Sequence, residues 1–252
     1  MVMFYFSGTG NSEYIARKFS ERMEIVCHSI EENIDFGKLL SQTDTLVVCY
    51  PIYGSTVPRI MREFAQKYGS IICKKKLIIF CTQMCFSGDG ARAFARLIPG
   101  CEKNVLYAEH FNMPGNICNI PLLPIREKER IRKKKAADKK IELVCRNIRN
   151  GIYKKRGWCI GSTILGKMQN GTFPKTEEKG RSSFHADGDC IKCGLCVKKC
   201  PVHNLELADG KVVQKNLCIL CYRCVNICPQ KAATVWIARK PTHQYKGIED
   251  KM

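Results

Sequence analysis

Val2-Met3-Phe4-Tyr5-Phe6-Ser7-Gly8-Thr9-Gly10-Asn11-Ser12 gives three structural instructions in succession. The apolar run Val2–Phe6 reads as a buried strand. Ser7–Asn11 is a short loop of glycines and hydroxyls. From Ser12 to Met23, Ile15, Phe19 and Met23 recur every four residues, one face of a helix laid on a sheet. A strand that feeds a glycine-rich loop and then a helix N-terminus builds an anion cradle. The glycines let backbone N–H groups converge, the hydroxyls add donors, and the helix end contributes about half a positive charge. The loop contains no lysine, which argues against a P-loop, and its spacing is not G-x-G-x-x-G. Neutral donors around a phosphate monoester suit flavin mononucleotide (FMN).

Working outward, four more apolar, β-branched runs follow at 25–30, 45–50, 77–82 and 104–110. Helical segments are expected between them at 12–23, 36–41, 59–68 and 90–98. Five strands alternating with helices predict a doubly wound parallel sheet. A last helix is expected over 126–149, with Ala137, Ile141, Val144 and Ile148 in register. Its earlier register positions are Lys134 and Arg130, so its first half is expected to project into solvent.

The first loop resembles that of the flavodoxins, whose pattern is S/T-G-T-G-N, and the resemblance covers residues 1 to about 150. It implies a flavodoxin-like five-stranded sheet of order 2-1-3-4-5, with FMN at the topological switch point. The implied FMN set is Ser7, Gly8, Thr9, Gly10, Asn11 and Ser12 from the first loop. Pro51, Ile52, Tyr53 and Gly54 would come from the third-strand loop, and Thr82, Gln83, Ser87 and Gly88 from the fourth. Tyr53 is a candidate stacking face. The fourth-strand loop carries no Tyr or Trp, so one flavin face is expected to be open. Its glycines suit a backbone that approaches a ligand closely. Residues 112–116 have no flavodoxin counterpart and are expected to form a lid or a plain loop.

At the other end the chain repeats one pattern: Cys190-Ile-Lys-Cys193-Gly-Leu-Cys196-Val-Lys-Lys-Cys200-Pro201 and Cys218-Ile-Leu-Cys221-Tyr-Arg-Cys224-Val-Asn-Ile-Cys228-Pro229. Each is C-x₂-C-x₂-C-x₃-C-P, the bacterial two-cluster ferredoxin run, in which the fourth cysteine ligates the other cluster. Cys190, Cys193, Cys196 and Cys228 are therefore assigned to one 4Fe–4S cluster. Cys218, Cys221, Cys224 and Cys200 are assigned to the second. Zinc would use two C-x₂-C pairs per site and leave the third cysteine and the proline without a role. Between the motifs, Leu205–Leu207 and Lys211–Val213 flank Asp209-Gly210, a hairpin signal.

The resulting division is a flavodoxin-like domain at 1–150, a connector at 151–183, a small α+β ferredoxin domain at 184–240 and a polar, frayed tail at 241–252. Six glycines break up the connector, and Pro174 is expected to stop any helix there. The remaining nine cysteines show no repeated spacing and read as free thiols in a reducing cell, and so many thiols beside oxygen-sensitive clusters suggest an anaerobe. No apolar run reaches spanning length and no cationic segment precedes the opening residues, so a cytoplasmic location is expected.

The formal net charge is +19. Residues 126–156 hold fourteen Lys/Arg against four Asp/Glu. A basic run can serve nucleic acid or an anionic membrane surface, but no aromatic interrupts Arg126–Lys140 for base stacking, and a solvated helix face is the preferred reading. No residue stands out as acid, base or nucleophile, and His28, His110, His185, His203 and His243 do not cluster in sequence. Both ends, in this order, resemble the fused flavodoxin–ferredoxin proteins. That resemblance implies an electron-transfer flavoprotein whose cofactors carry the chemistry. An acidic ferredoxin or flavodoxin is the expected partner. The alternative is an FMN-dependent oxidoreductase that reduces a small, quinone-like acceptor.

Overall fold

The computed structural model describes residues 1–120, 126–171 and 173–249. By density of contacts the chain divides into two units. Unit 1 holds residues 1–7, 11–113 and 131–173. Unit 2 holds residues 8–10, 114–130 and 174–252.

Unit 1 is organised by five parallel strands: β1 (Val2–Tyr5), β2 (Val26–Ser29), β3 (Thr45–Pro51), β4 (Lys76–Gln83) and β5 (Val105–Asn112). Their order is β2-β1-β3-β4-β5, as expected for a flavodoxin-like sheet. Parallel strands are stable only with both faces covered, and the register shows how the covering is divided. Phe4 pairs with Val48, and Val48 with Ile79. On that row Phe4 packs on Phe36 of α2 (Phe36–Ser41) and Phe64 of α3 (Arg59–Ile72), with ring centroids 5.1 and 5.8 Å apart. One residue along β4, Phe80 points to the opposite face. It meets Phe19 of α1 (Asn11–Met23) at 4.9 Å and Phe111 of β5 at 5.5 Å. α4 (Gly90–Arg96) follows the fourth-strand loop, where Tyr50 and Phe94 pack together. Each such buried ring contributes roughly 1.5–3 kcal/mol through the hydrophobic effect.

The long helix α5 (Glu127–Arg149) buries Ala137, Ile141 and Val144 in the expected register. Its first half does not simply project into solvent. Lys133 Nζ donates to the carbonyls of Met84 and Met113 at 2.9 and 3.0 Å, and Lys134 lies over the Tyr14 ring. Arg130 donates to the Ile248 carbonyl at 2.6 Å. Long cationic side chains bury their stems and bond through their heads, so a register position filled by Lys or Arg can still face protein.

After α5 the chain runs beside the sheet edge: Ala108 N donates to the Lys154 carbonyl and Arg156 N to the Ala108 carbonyl, at 2.7 and 3.0 Å. The edge strand β5 is thereby partly covered. Two helices follow, α6 (Ile160–Asn170) and α7 (Phe173–Gly180). Pro174 opens α7 instead of stopping a helix. In a first turn the missing N–H has no intrahelical acceptor to lose.

Among its described residues, unit 2 contains most of α7, two small antiparallel ribbons and two further short helices. β6 (His185–Ala186) pairs with β9 (Ala233–Thr234), and β7 (Leu205–Ala208) with β8 (Lys211–Gln214). Asp209 and Gly210 at φ 48° and 69° make the hairpin turn that the Asp-Gly pair predicts. α8 (Leu195–Lys198) and α9 (Arg223–Ile227) each follow a C-x₂-C loop. The core is Phe184, Leu205, Leu220, Tyr222, Val225, Ala233 and Val235, with Cys118. The tail is not frayed at 244–248. Gln244 donates to the carbonyls of Val225 and Cys228, Tyr245 N donates to Asn226 Oδ1, and Tyr245 and Ile248 are buried.

Residues 114–119 form a loop held by hydrogen bonds. Asn116 Nδ2 donates to Thr9 Oγ1 at 3.0 Å, and Asn226 Nδ2 donates to the Asn116 carbonyl at 2.9 Å. Asn119 Nδ2 donates to the carbonyls of Val235 and Ile237. These contacts make the segment a hydrogen-bonded hub inside unit 2. The continuation through 121–125 lies outside the described residues.

Candidate cofactor sites

The two cysteine motifs fold as a backbone repeat. The residue before the second cysteine of each motif, Lys192 or Leu220, is left-handed, with φ 57° and 56°. The residue after it, Gly194 or Tyr222, is left-handed again at 72° and 61°. A third pair, His203 and Lys231, repeats at φ 48° and 54° three residues beyond the last cysteine of each motif. Non-glycine residues in this region cost about 1–3 kcal/mol each and persist where the surroundings require them. The same cost at matched positions of both copies indicates one wrapping geometry used twice.

What the loops wrap is visible as two cavities. One, of about 370 Å³ including its open mouth, is lined by Cys190, Cys193, Cys196 and Cys228. The other, of about 350 Å³, is lined by Cys200, Cys218, Cys221 and Cys224. Each set takes three cysteines from one motif and its fourth from the other. Among the described residues, no three His, Cys, Asp or Glu side chains gather tightly enough to grip a single ion. Four thiols spread around a hollow fit a polynuclear cluster instead. Burial pushes Cys196 up to about 11 and Cys221 up to about 12, so both thiols stay protonated until a metal displaces the proton. Cys200 Sγ accepts from Asn204 N at 3.3 Å and Cys218 Sγ from Leu220 N at 3.4 Å. Backbone N–H bonds of this kind to sulfur tune a cluster's potential.

The second candidate site lies at the carboxyl ends of the parallel strands. Ser12 Oγ and Thr82 Oγ1 are 2.7 Å apart and buried, which ties the start of α1 to the end of β4. Ile52 N donates to the Thr82 carbonyl at 2.9 Å, joining the third-strand loop to the same point. Ser87 and Gln83 are bonded side chain to side chain at 2.5 Å, and Gln83 Nε2 also reaches Asn112 Oδ1 at 2.8 Å. Ser12, Ile52, Thr82, Gln83 and Ser87 are thus brought together, with the last two side chains engaged in holding the loop. Ser7 is buried at the end of β1, and Asn11 opens α1. Tyr53 and Gly54 sit in a tight turn closed by mutual Tyr53–Thr56 backbone bonds, with Pro51 just ahead at the strand end.

Gly8, Thr9 and Gly10 belong to unit 2, where Thr9 takes the Asn116 bond and the Gly8 carbonyl accepts from Arg223 Nε at 3.0 Å. Arg223, between Cys221 and Cys224, also donates to the Lys199 carbonyl at 3.0 Å. Neither Asn116 nor Arg223 could be singled out in sequence, since their targets are main-chain carbonyls and a hydroxyl far away in the chain.

The loop glycines also admit neighbouring protein. A Cβ on Gly88, at φ 57°, would stand 2.5 Å from Gly166 N and 2.6 Å from the Ser162 carbonyl. A Cβ on Gly54 would collide with the Phe173 ring. The third- and fourth-strand loops therefore approach α6 and Phe173, and their glycines allow protein to pack on protein. Asp89, fully buried at the start of α4, pairs with Arg96. His110 is buried beside it and its Nε2 accepts from Ala91 N at 3.2 Å. Burial, with help from Arg156 and Lys140, pushes His110 down to about 3, so it is neutral at physiological pH.

Residues 2–117 match the family described as "Flavodoxin domain", and residues 189–232 match "4Fe-4S dicluster domain". No curated protein matches the chain. Among solved structures it is similar to the rubredoxin oxygen:oxidoreductase of the anaerobe Desulfovibrio gigas, at 13% identity and a TM-score of 0.38. That alignment covers 60% of this chain and 36% of that one, so the chain spans about a third of its length. A flavone reductase aligns at 14% identity and a TM-score of 0.38, covering 85% of this chain and 81% of that one. Likeness at this level carries no functional argument. No helix among the described residues is long and apolar enough to cross a membrane.

Proposed function

Because this chain joins a flavodoxin domain to a 4Fe–4S dicluster domain, as the fused flavodoxin–ferredoxin proteins do, we propose that it is an electron carrier working between two 4Fe–4S clusters, a bound FMN and a protein redox partner. When bound, the cubanes supply one-electron chemistry and the flavin one- or two-electron chemistry. The chain's own residues bind, insulate and position.

The observation that carries this reading is the crossed pairing of cysteines around the two cavities. Cys190, Cys193, Cys196 and Cys228 would hold one cluster, and Cys200, Cys218, Cys221 and Cys224 the other. The FMN phosphate would sit on the Ser7–Ser12 loop at the start of α1, with Asn11 and Ser12 in the first turn. The loops at Pro51–Gly54 and Thr82–Gly88 would flank the ring. Ser12–Thr82 and Gln83–Ser87 would hold those loops in place without adding charge, in keeping with a phosphate bound by neutral donors. A small-molecule acceptor is the less favoured use of the site. Phe173 and α6 pack on the two ring-flanking loops, which narrows free access to them.

The partner is expected to be acidic, as the net charge of +19 favours. The test is reduction of the bound flavin by a chemically reduced acidic ferredoxin, followed anaerobically by absorbance at several ionic strengths. Reduction that slows steeply with added salt supports the reading. Failure of any acidic redox protein to exchange electrons with the chain overturns it.

A further inference from the structure

α6 has two faces of opposite character. Its inner face is made of small residues fixed on the fourth-strand loop: Gly166 N and the Ser162 carbonyl stand against Gly88, and Gly166 against Asp89. Its outer face is a row of large apolar side chains. Ile160, Ile164 and Met168 follow at i, i+4 and i+8 and are 80%, 56% and 71% exposed. This spacing puts all three along one side of the helix, over about 12 Å. Phe86, two residues before Gly88, is also exposed. A contiguous apolar row of this kind on an otherwise well-buried unit marks a contact surface.

Charge decides what contacts it. Between Glu142 and Glu177 the sequence contains no acidic residue and seven Lys or Arg. Within unit 1 the flanks of the row carry Lys154, Lys155 and Arg156, all exposed, and Lys167. A second copy of the chain would bring the same positive surface and be repelled. A membrane surface is the poorer fit, because helices that lie in lipid headgroups line their polar side with Lys and Arg. The rest of α6 offers Gly161, Ser162, Thr163, Gly166, Gln169 and Asn170 and only Lys167 as a cation. An apolar centre with a mainly positive rim, in which Arg156 also meets Glu109 and the Arg92 that bonds Thr163 meets Glu102, matches a small, transient protein–protein interface.

We infer that the outer face of α6, Ile160, Ile164 and Met168 with the Lys154–Arg156 flank, is the docking surface for the acidic redox protein with which this chain exchanges electrons. The inference rests on the electron-carrier reading above. It adds that the partner binds at the helix clamped to the fourth-strand loop, not along the more highly charged α5.

The test uses the full-length, cofactor-loaded protein and a small acidic two-cluster ferredoxin reduced chemically. Ile164→Glu should slow its electron exchange about tenfold or more at fixed salt, as loss of a buried anchor does. Lys154→Glu/Lys155→Glu should flatten the salt dependence, while Lys128→Glu/Lys135→Glu on α5 should change the rate at fixed salt far less. Flavin and iron content, and reduction by dithionite, should be as in the parent for all three, which separates docking from folding and cofactor loading. Parent-like exchange by Ile164→Glu at every salt concentration overturns the docking proposal and leaves the electron-carrier reading standing. So does a parent protein that is a dimer in sedimentation and is dispersed by Ile164→Glu, or one that binds anionic phosphatidylserine vesicles through Ile164. If the parent itself exchanges no electrons with the ferredoxin, the underlying reading fails instead.

Discussion

Ser12 Oγ and Thr82 Oγ1 lie 2.7 Å apart in the buried layer at the carboxyl ends of β1 and β4, seventy residues apart in sequence. The bond joins the start of α1 to the loop that would flank the flavin ring. Thr82→Val keeps the shape and removes the hydroxyl, leaving Ser12 with a lost partner in a dry site. A cost of about 1–3 kcal/mol in stability is expected. FMN affinity, followed by quenching of flavin fluorescence, should fall about tenfold because the two loops lose their common anchor. Unchanged affinity would place the phosphate loop's support elsewhere.

Gly166 offers a test with an unusual sign. Inside an exposed helix, Gly→Ala stabilises by about 1 kcal/mol. Here a Cβ would collide with Asp89 Oδ1, and Asp89 is fully buried and paired with Arg96. Gly166→Ala is expected to destabilise the protein in urea unfolding, whereas Gly161→Ala, whose Cβ meets nothing within 4 Å, should stabilise it. Stabilisation by both would mean that α6 is not clamped to the loop.

His110 makes stability depend on pH with a definite direction. In the unfolded chain it takes up a proton near its ordinary value of about 6.5. In the folded protein it resists until about 3, because it is buried and lies near the cations Arg156 and Lys140. Its contribution is therefore complete above about 6.5 and is lost as the pH falls below that, with a limiting slope of about 1.4 kcal/mol per pH unit. Urea unfolding at pH 7.5 and 5.5 should show this loss, and His110→Gln should reduce it. Equal pH dependence in both proteins would remove His110 from the account.

The cysteine crossing can be read by subtraction. Cys200→Ala lies in the first motif, yet it should abolish the cluster of the second, and Cys228→Ala should do the reverse. The EPR spectra of the reduced variants should each lack the signal that Cys221→Ala or Cys193→Ala, respectively, removes. Loss of the signal belonging to the variant's own motif would mean that the four cysteines of each run close on one cube.

Much of this was legible in the sequence because its period matched its burial. Phe4 and Phe80 lie in alternating apolar runs that reach both faces of the sheet. The Asp209-Gly210 turn and the Cys190–Pro229 repeat are local in sequence, so local chemistry revealed them. The helices within 151–183 were missed because glycine was taken as a break. Gly166 and Gly88 are there for close approach between segments far apart in sequence, which no local pattern reports. The tail was misread for a similar reason: Gln244 and Tyr245 bond to Val225, Cys228 and Asn226, and their polar composition gave no sign of a buried site. Lys134 and Arg130 looked solvated because their charge was counted without their stems.

The central claim is that one chain carries a flavin and two cubanes in the sites described. Its most direct test is an anaerobic visible and EPR titration of the purified full-length protein with flavin and metal quantified. The account predicts about one FMN and about eight iron per chain, with flavin bleaching and two cluster signals appearing on reduction. A colourless protein holding zinc at the cysteines, or iron without flavin, would contradict it.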